Sequence, residues 1–448
     1  MRRRDLLFTA GALGLSLLLP GRAPHAARAR DRRFFLDIIV PGGLDQTMLF
    51  DARPLAMTQA GLVHNPLGEE PAPWQGTNGT ASLTASPAAP LHPLRDRFSV
   101  VNGILMSTSF DGHDQNTNVL LTGSPFGGPS LHTELNADAP APLDYIRFGT
   151  VFAQLQDARA VELTPPGLRR LVQGVGELSA VAPAVERYLS AQTDALGDPS
   201  QRFGAGVLAL RDGTASAQAL QAQLASIQLA GDDGDPLGAQ LSVLREVFRL
   251  GIARGAMFAI VTGNELQFDT HAAPEAVTQA PRYLDLCERL ARVFRFLAAT
   301  PYDDTRSLLD VVTVMVSSEF GRTMRQAGAP IDGTGTDHNP LANSVLLGGA
   351  GIRSGLVVGA TDFQTAGEEL SGAHLALDPA RVKVMGRPFD FATGAARGDR
   401  PATFVATDYL HIASVVNTLY AAFGVDRSAW RTVERNGPPA PAIAGLLA

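Results

Sequence analysis

The chain has a single cysteine, Cys287, so no disulfide can form within it, and its stability has to come from packing or from bound metal. Cys287 lies in a stretch of helically spaced apolar residues, Tyr283 to Leu297, and reads as a small buried hydrophobe with no reactive role. Charge is also sparse: Asp, Glu, Lys and Arg make up 18% of the residues, and the net charge is −7. No Lys/Arg cluster occurs beyond the first residues, which excludes a nucleic-acid binder, because phosphate recognition needs a concentrated basic surface. Long apolar runs are missing as well. The longest opening run, Leu6 to Leu19, is shorter than the roughly 20 residues that span a bilayer, and Gly11 and Gly14 weaken it further. There is no internal repeat. What the chain does have is 45% apolar residues, enough to bury a large core.

The first residues read as a targeting segment. Arg2, Arg3, Arg4 and Asp5 precede the apolar run, and Pro20, Gly21 and Ala27-Arg28-Ala29 follow it. A charged region, a hydrophobic region and a small-residue cleavage site in that order form a twin-arginine signal. The expectation is recognition by the twin-arginine export machinery, cleavage after Ala29, a periplasmic or secreted location, and no stable membrane span afterwards. The competing reading is an uncleaved anchor. Residues 30–448 are expected to fold as one enlarged domain.

Phe34 to Val40 is a short apolar run stopped by Pro41-Gly42-Gly43 and reads as a buried strand; Ser99 to Val101, continuing to Ile104, is a second. The Pro-, Gly- and Ser-rich stretch from Pro54 to Pro93 between them, with Trp74, reads as a long surface excursion. An insert over 165–255, rich in Ala, Leu, Gln and Arg, has helical spacing in Val185 to Leu196, Ala217 to Leu229 and Leu237 to Leu250, with Gly255 closing it. Strands follow at Ala256 to Val261, Leu308 to Val316 and Ser344 to Leu347, separated by a helix from Tyr283 to Ala298. A last helix, Tyr409 to Phe423, has Thr407 or Asp408 as N-cap. Strands alternating with helices predict an α/β fold, a mostly parallel central sheet flanked by helices, with a helical insert.

In such folds ligands bind at the carboxyl ends of the strands. Here those ends are polar in one consistent way. Asp45 follows the first strand, Asp111-Gly112-His113-Asp114 the second, Asp269-Thr270-His271 the third and Ser317-Ser318-Glu319 the fourth; Asp337-His338-Asn339 comes next. Three of only nine histidines fall in these motifs, whereas His64, His92, His132 and His374 read as surface or loop residues and His411 as packed on the last helix. Carboxylate and imidazole together suit zinc, manganese, iron or calcium. Arg322 either binds an anion through its planar guanidinium or pairs with a carboxylate. Gly333-Thr334-Gly335-Thr336 is either an anion cradle or a flexible turn.

Gly42-Gly43-Leu44-Asp45, His113 with Leu121-Thr122-Gly123, Phe268-Asp269-Thr270-His271, Ser318-Glu319-Phe320-Gly321-Arg322-Thr323 and Gly335-Thr336-Asp337-His338-Asn339 resemble the signatures of the exported bacterial domain-of-unknown-function family 1501. That family is grouped with the alkaline phosphatase and sulfatase superfamily. The resemblance implies an alkaline phosphatase-like fold and one or two divalent metal ions that hold a transferring phosphoryl or sulfuryl group of an anionic ester. It also implies roles. Asp45 resembles the first-strand ligand, Asp269 and His271 the middle pair, Glu319 the late-strand carboxylate, and Asp337 or His338 the last ligand, with His113 near the nucleophile position. No Cys or Ser stands there. Three readings follow: His113 is a ligand or base and water attacks, His113 is itself phosphorylated, or Ser109 or Thr117 is the nucleophile. The function expected is an exported metal-dependent hydrolase of phosphate or sulfate esters, the alternative a non-catalytic metal-containing protein that binds a surface polysaccharide or a partner.

Mass spectrometry of the exported protein should show an N-terminus at Arg30. Intact chain recovered only from the membrane fraction would favour the anchor.

Overall fold

The computed structural model describes residues 33–57, 62–63, 65–136, 141, 143–149, 151, 153–157, 160–162, 234–260, 268–271, 276–323, 325–326, 336–363, 384–398, 404–426 and 438–448. The signal segment, the expected helices Val185 to Leu196 and Ala217 to Leu229, and Gly333 to Gly335 lie outside these residues. The chain divides into two compact units, one made of Met1–Arg32 and Leu163–Ala253, the other of Arg33–Glu162 and Arg254–Ala448. In the first, the described helix is Pro236–Arg249, with Asp235 as its N-cap and Pro236 in its first turn. Its apolar positions match the periodicity expected for Leu237 to Leu250.

The second unit is built on an eight-stranded sheet. Its strands are β1 (Phe34–Ile39), β2 (Phe98–Asn102), β3 (Leu143–Phe148), β4 (Ala160–Glu162), β5 (Ala253–Ala259, entered from the first unit), β6 (Val312–Ser317), β7 (Ser344–Gly349) and β8 (Val357–Val358). Their order is β8-β2-β7-β6-β1-β5-β3-β4. Pairs β8–β2, β6–β1, β1–β5 and β3–β4 are parallel, and only β7 runs antiparallel to both of its neighbours. The expected α/β class with a mostly parallel sheet is what the structure shows. The central strand β1 is buried at every position, which explains its near-continuous apolar sequence. Helices α1 (His113–Thr122), α2 (Leu131–Asn136), α3 (Ala276–Ala299) and α4 (Ile412–Phe423) belong to this unit. One core cluster joins Phe35, Ile39, Met257 and Met315 of the sheet to Val415, Val416, Leu419 and Tyr420 of α4.

Four sequence expectations are corrected. The excursion from Pro54 to Pro93 contains a hairpin, Ala72–Gln75 with Ala81–Thr84, and a 3-10 segment, Ser86–Leu94. Trp74 is buried there, in ring contact with Phe50 and Phe98, because so large an apolar surface gains more from the core than from water. Gly255 does not close a helix but lies inside β5, where a side chain would strike the His132 ring. The last helix starts at Ile412 and is capped by His411, whose Nδ1 accepts the Ala413 N–H at 3.0 Å. Ala406–Asp408 form a separate 3-10 turn, and the chain is then held extended at His411 by bonds of Leu410 and Ile412 with Leu105. Finally, His132 is neither surface nor loop but wholly buried on α2.

His132 stacks on Tyr145, lies tilted against Phe35 and places Nε2 3.8 Å from Oδ2 of Asp37, in mid-strand on β1. Burial pushes the Asp37 carboxyl up to about 8. Burial pulls His132 down to about 3, against the opposing charge of Asp157. The native state therefore keeps a proton on Asp37 that the unfolded chain has lost between about pH 4 and 8, so this contribution is lost as pH rises through that window. For His132 the unfolded chain binds the extra proton, and its contribution is lost as pH falls from about 6.5 towards 3. The two slopes cancel near pH 5, and Asp37 alone acts from about 6.5 to 8. Over that upper range the wild type should lose stability relative to Asp37→Asn by up to about 1.4 kcal/mol per pH unit, read from denaturant midpoints. Parallel curves for the two proteins would refute it.

Candidate metal centre

The polar loops at the carboxyl end of the sheet are stitched together by backbone contacts. Gly321–Arg322 forms a short antiparallel ladder with His338–Asn339, placing Arg322 opposite His338. Thr323 N–H donates to the Asp337 carbonyl at 3.0 Å, Thr336 N–H to the Thr270 carbonyl at 3.1 Å, and Leu44 N–H to the Phe320 carbonyl at 3.1 Å. Asn343 Nδ2 donates to the Ser318 carbonyl at 2.6 Å. Gly42, at φ 105°, lets the first loop touch the third: a Cβ there would stand 2.6 Å from the Asp269 nitrogen.

These contacts bring four expected ligands into one cluster. One ligand atom from each of His113, Asp269, His271 and His338 lies within 4.8 Å of the others. His113 is the first residue of α1, after the N-cap Gly112. Its Nε2 stands 3.4 Å from Asp269 Oδ2 and has no hydrogen-bond partner. His271 Nε2 is 3.2 Å from Asp269 Oδ1 and 2.8 Å from His338 Nε2. The Phe320 ring is buried against both His113 and His338 and forms the apolar wall of the cluster.

The other expected site residues surround this group in different ways. Glu319 is buried, 2.6 Å from His113 Nδ1. Asp337 lies 3.4 Å from His271 Nδ1 and accepts the His338 N–H at 2.8 Å. Asp45 turns its carboxylate to Thr47, capping the 3-10 turn Gln46–Met48, and is not one of the four. Arg322 is wholly buried and donates from Nη2 to Asp269 Oδ1 at 2.6 Å and to the Gly42 carbonyl. Arg322 thus pairs with a carboxylate, one of its two expected roles. Thr117 Oγ1 donates to the His113 carbonyl inside α1, and Ser109 is exposed. The contribution of the Gly42 backbone was not foreseen; its signal in the sequence was the Gly42-Gly43 pair ending β1.

Burial pulls His113 down, but the carboxylates of Asp269 and Glu319 outweigh it and hold the imidazole at about 9. Burial raises Asp269, yet His113 and Arg322 together hold it well below the usual carboxylate range. His338 is lowered to about 4 by burial and then by the positive His113 and Arg322, and His271 is lowered for the same leading reason. Neutral imidazoles with free lone pairs are the form that binds metal. Three imidazoles and one carboxylate suit zinc or a similar borderline ion. The residues present fit a divalent metal.

The fold and this cluster define an α/β protein with an imidazole-rich centre able to hold a metal at the strand ends. Residues 237–376 match the family model described as "Protein of unknown function (DUF1501)", and this region carries Asp269, His271, Glu319, Arg322, Asp337 and His338. No curated protein matches the chain. Among solved structures, the lipoteichoic acid synthase LtaP from Listeria monocytogenes is 9% identical, with a TM-score of 0.33, over 78% of this chain and 74% of its own. A sulfatase from Pseudoalteromonas sp. is 9% identical, with a TM-score of 0.33, over 80% and 68%. A protein of the alkaline phosphatase superfamily from Vibrio parahaemolyticus is 9% identical, with a TM-score of 0.27, over 80% and 72%.

Removing the buried guanidinium leaves the half-buried Asp269 carboxylate without its charge partner. Arg322→Ala should lower the unfolding free energy by about 3 kcal/mol or more, measured by denaturant titration. A loss below about 1 kcal/mol would show that Asp269 holds its place without the guanidinium.

Proposed function

We propose that the protein is an exported metal-dependent hydrolase of phosphate or sulfate esters, with His113, Asp269, His271 and His338 holding the metal. The observation that carries this reading is the convergence of those four residues, drawn from three separate loops, within 4.8 Å. A divalent metal in such a centre supplies an activated water near neutral pH and polarises the ester oxygen. The chain's own residues do the rest. Arg322 keeps the Asp269 carboxylate in place, and Phe320 excludes water from one side. Helix α1 begins at the cluster with no side chain capping its N-terminus, which favours an anionic group there.

Supporting export are the twin-arginine segment and the route it uses, which carries folded proteins. Among the described residues no helix is long and apolar enough to cross a membrane. The absence of Ser or Cys at the expected nucleophile position favours a second reading, a metal-containing binding protein without turnover.

Elemental analysis of the purified mature protein should find about stoichiometric metal, lost in both Asp269→Ala and His271→Ala, with turnover of phosphate or sulfate esters lost in parallel. No metal in the wild type after incubation with zinc, manganese and calcium would sink the hydrolase. Full metal without turnover across phosphate mono- and diesters and aryl sulfates would leave the binding protein.

A further inference from the structure

We infer that Glu319 is a positioning residue that fixes the orientation and tautomer of His113, and is not itself a metal ligand; this rests on the metal-site reading above. Three donors already occupy the Glu319 carboxylate. Oε1 accepts the Gly42 N–H at 2.7 Å and lies 2.6 Å from His113 Nδ1, while Oε2 accepts from Ser318 Oγ at 2.9 Å. The side chain is 2% exposed, and Glu319 is not one of the four residues whose ligand atoms converge.

The tautomer follows from the chemistry of these partners. A carboxylate offers acceptors only, so the imidazole nitrogen facing Oε1 carries hydrogen. In the neutral ring this places the lone pair on Nε2, on the side of Asp269, where it has no hydrogen-bond partner. A carboxylate hydrogen-bonded to the far nitrogen of a ligating histidine fixes the ring and raises its basicity. Glu319 can do this because the chain after β6 turns back to place it beneath Gly42, between the first and second strand-end loops.

The test compares the full mature protein with Glu319→Ala and Glu319→Gln. Zinc stoichiometry and affinity are read by competition with a chromophoric chelator, and the His113 ring nitrogens by ¹⁵N NMR of the metal-free protein. Glu319→Ala should keep the zinc stoichiometry of the wild type and weaken affinity about 10–100-fold. Glu319→Gln, whose amide oxygen still accepts from Nδ1–H, should recover most of that loss. In the metal-free protein the Nδ1–H signal should shift in Glu319→Ala and stay near the wild-type position in Glu319→Gln. Loss of one zinc per chain in Glu319→Ala, with the affinity of the rest unchanged, would make Glu319 a ligand and overturn the inference, and so would an unmoved His113 signal. A wild type that takes no zinc but shows the Nδ1 shift would refute the metal reading and leave the positioning of His113 standing.

Discussion

The ion pair between Asp269 and Arg322 ties the loop after β5 to the loop after β6, and the same guanidinium reaches the Gly42 carbonyl at the end of β1. Three strand ends are thus held by one planar cation that solvent does not reach. Such a pair contributes little net stability, because both charges lose hydration on burial. Its value lies in geometry. Asp269 is kept ionised and pointed at His113 and His271, so the cluster is set before any ion arrives.

Around that pair, backbone groups do much of the positioning. The ladder of Gly321–Arg322 with His338–Asn339 fixes where His338 projects, and Gly42 supplies both a donor to Glu319 and an acceptor to Arg322. Main-chain groups cannot change rotamer, so a centre built on them holds its shape better than one built on side chains alone. Burial and the neighbouring positive groups lower His271 and His338, whereas two carboxylates raise His113 in the metal-free protein. Similar imidazoles are thereby placed in different states by their neighbours.

The sheet was legible because buried strands are short apolar runs with sharp ends, as Phe34 to Val40 and Val311 to Val316 are. The candidate site was legible in part for a related reason. Polar residues directly after such runs fall at one edge of a parallel sheet, and His113, Asp269, His271 and His338 do meet there. The surroundings of Trp74, Gly255 and His132 were not legible, because each depends on what packs against it from elsewhere in the chain. No local pattern marks a histidine that sits under a β-strand.

By itself the sequence determined the α/β class, the strand ends that carry chemistry and the kinds of ligand available, since periodicity and residue type are local properties. Only the tertiary structure decided how the carboxylates divide their work. Asp269 enters the cluster, Glu319 lies behind His113, and Asp45 turns to cap its own loop. The first two outcomes hang on distances of a few ångströms from His113, more than a hundred residues away in the chain, and only packing sets those.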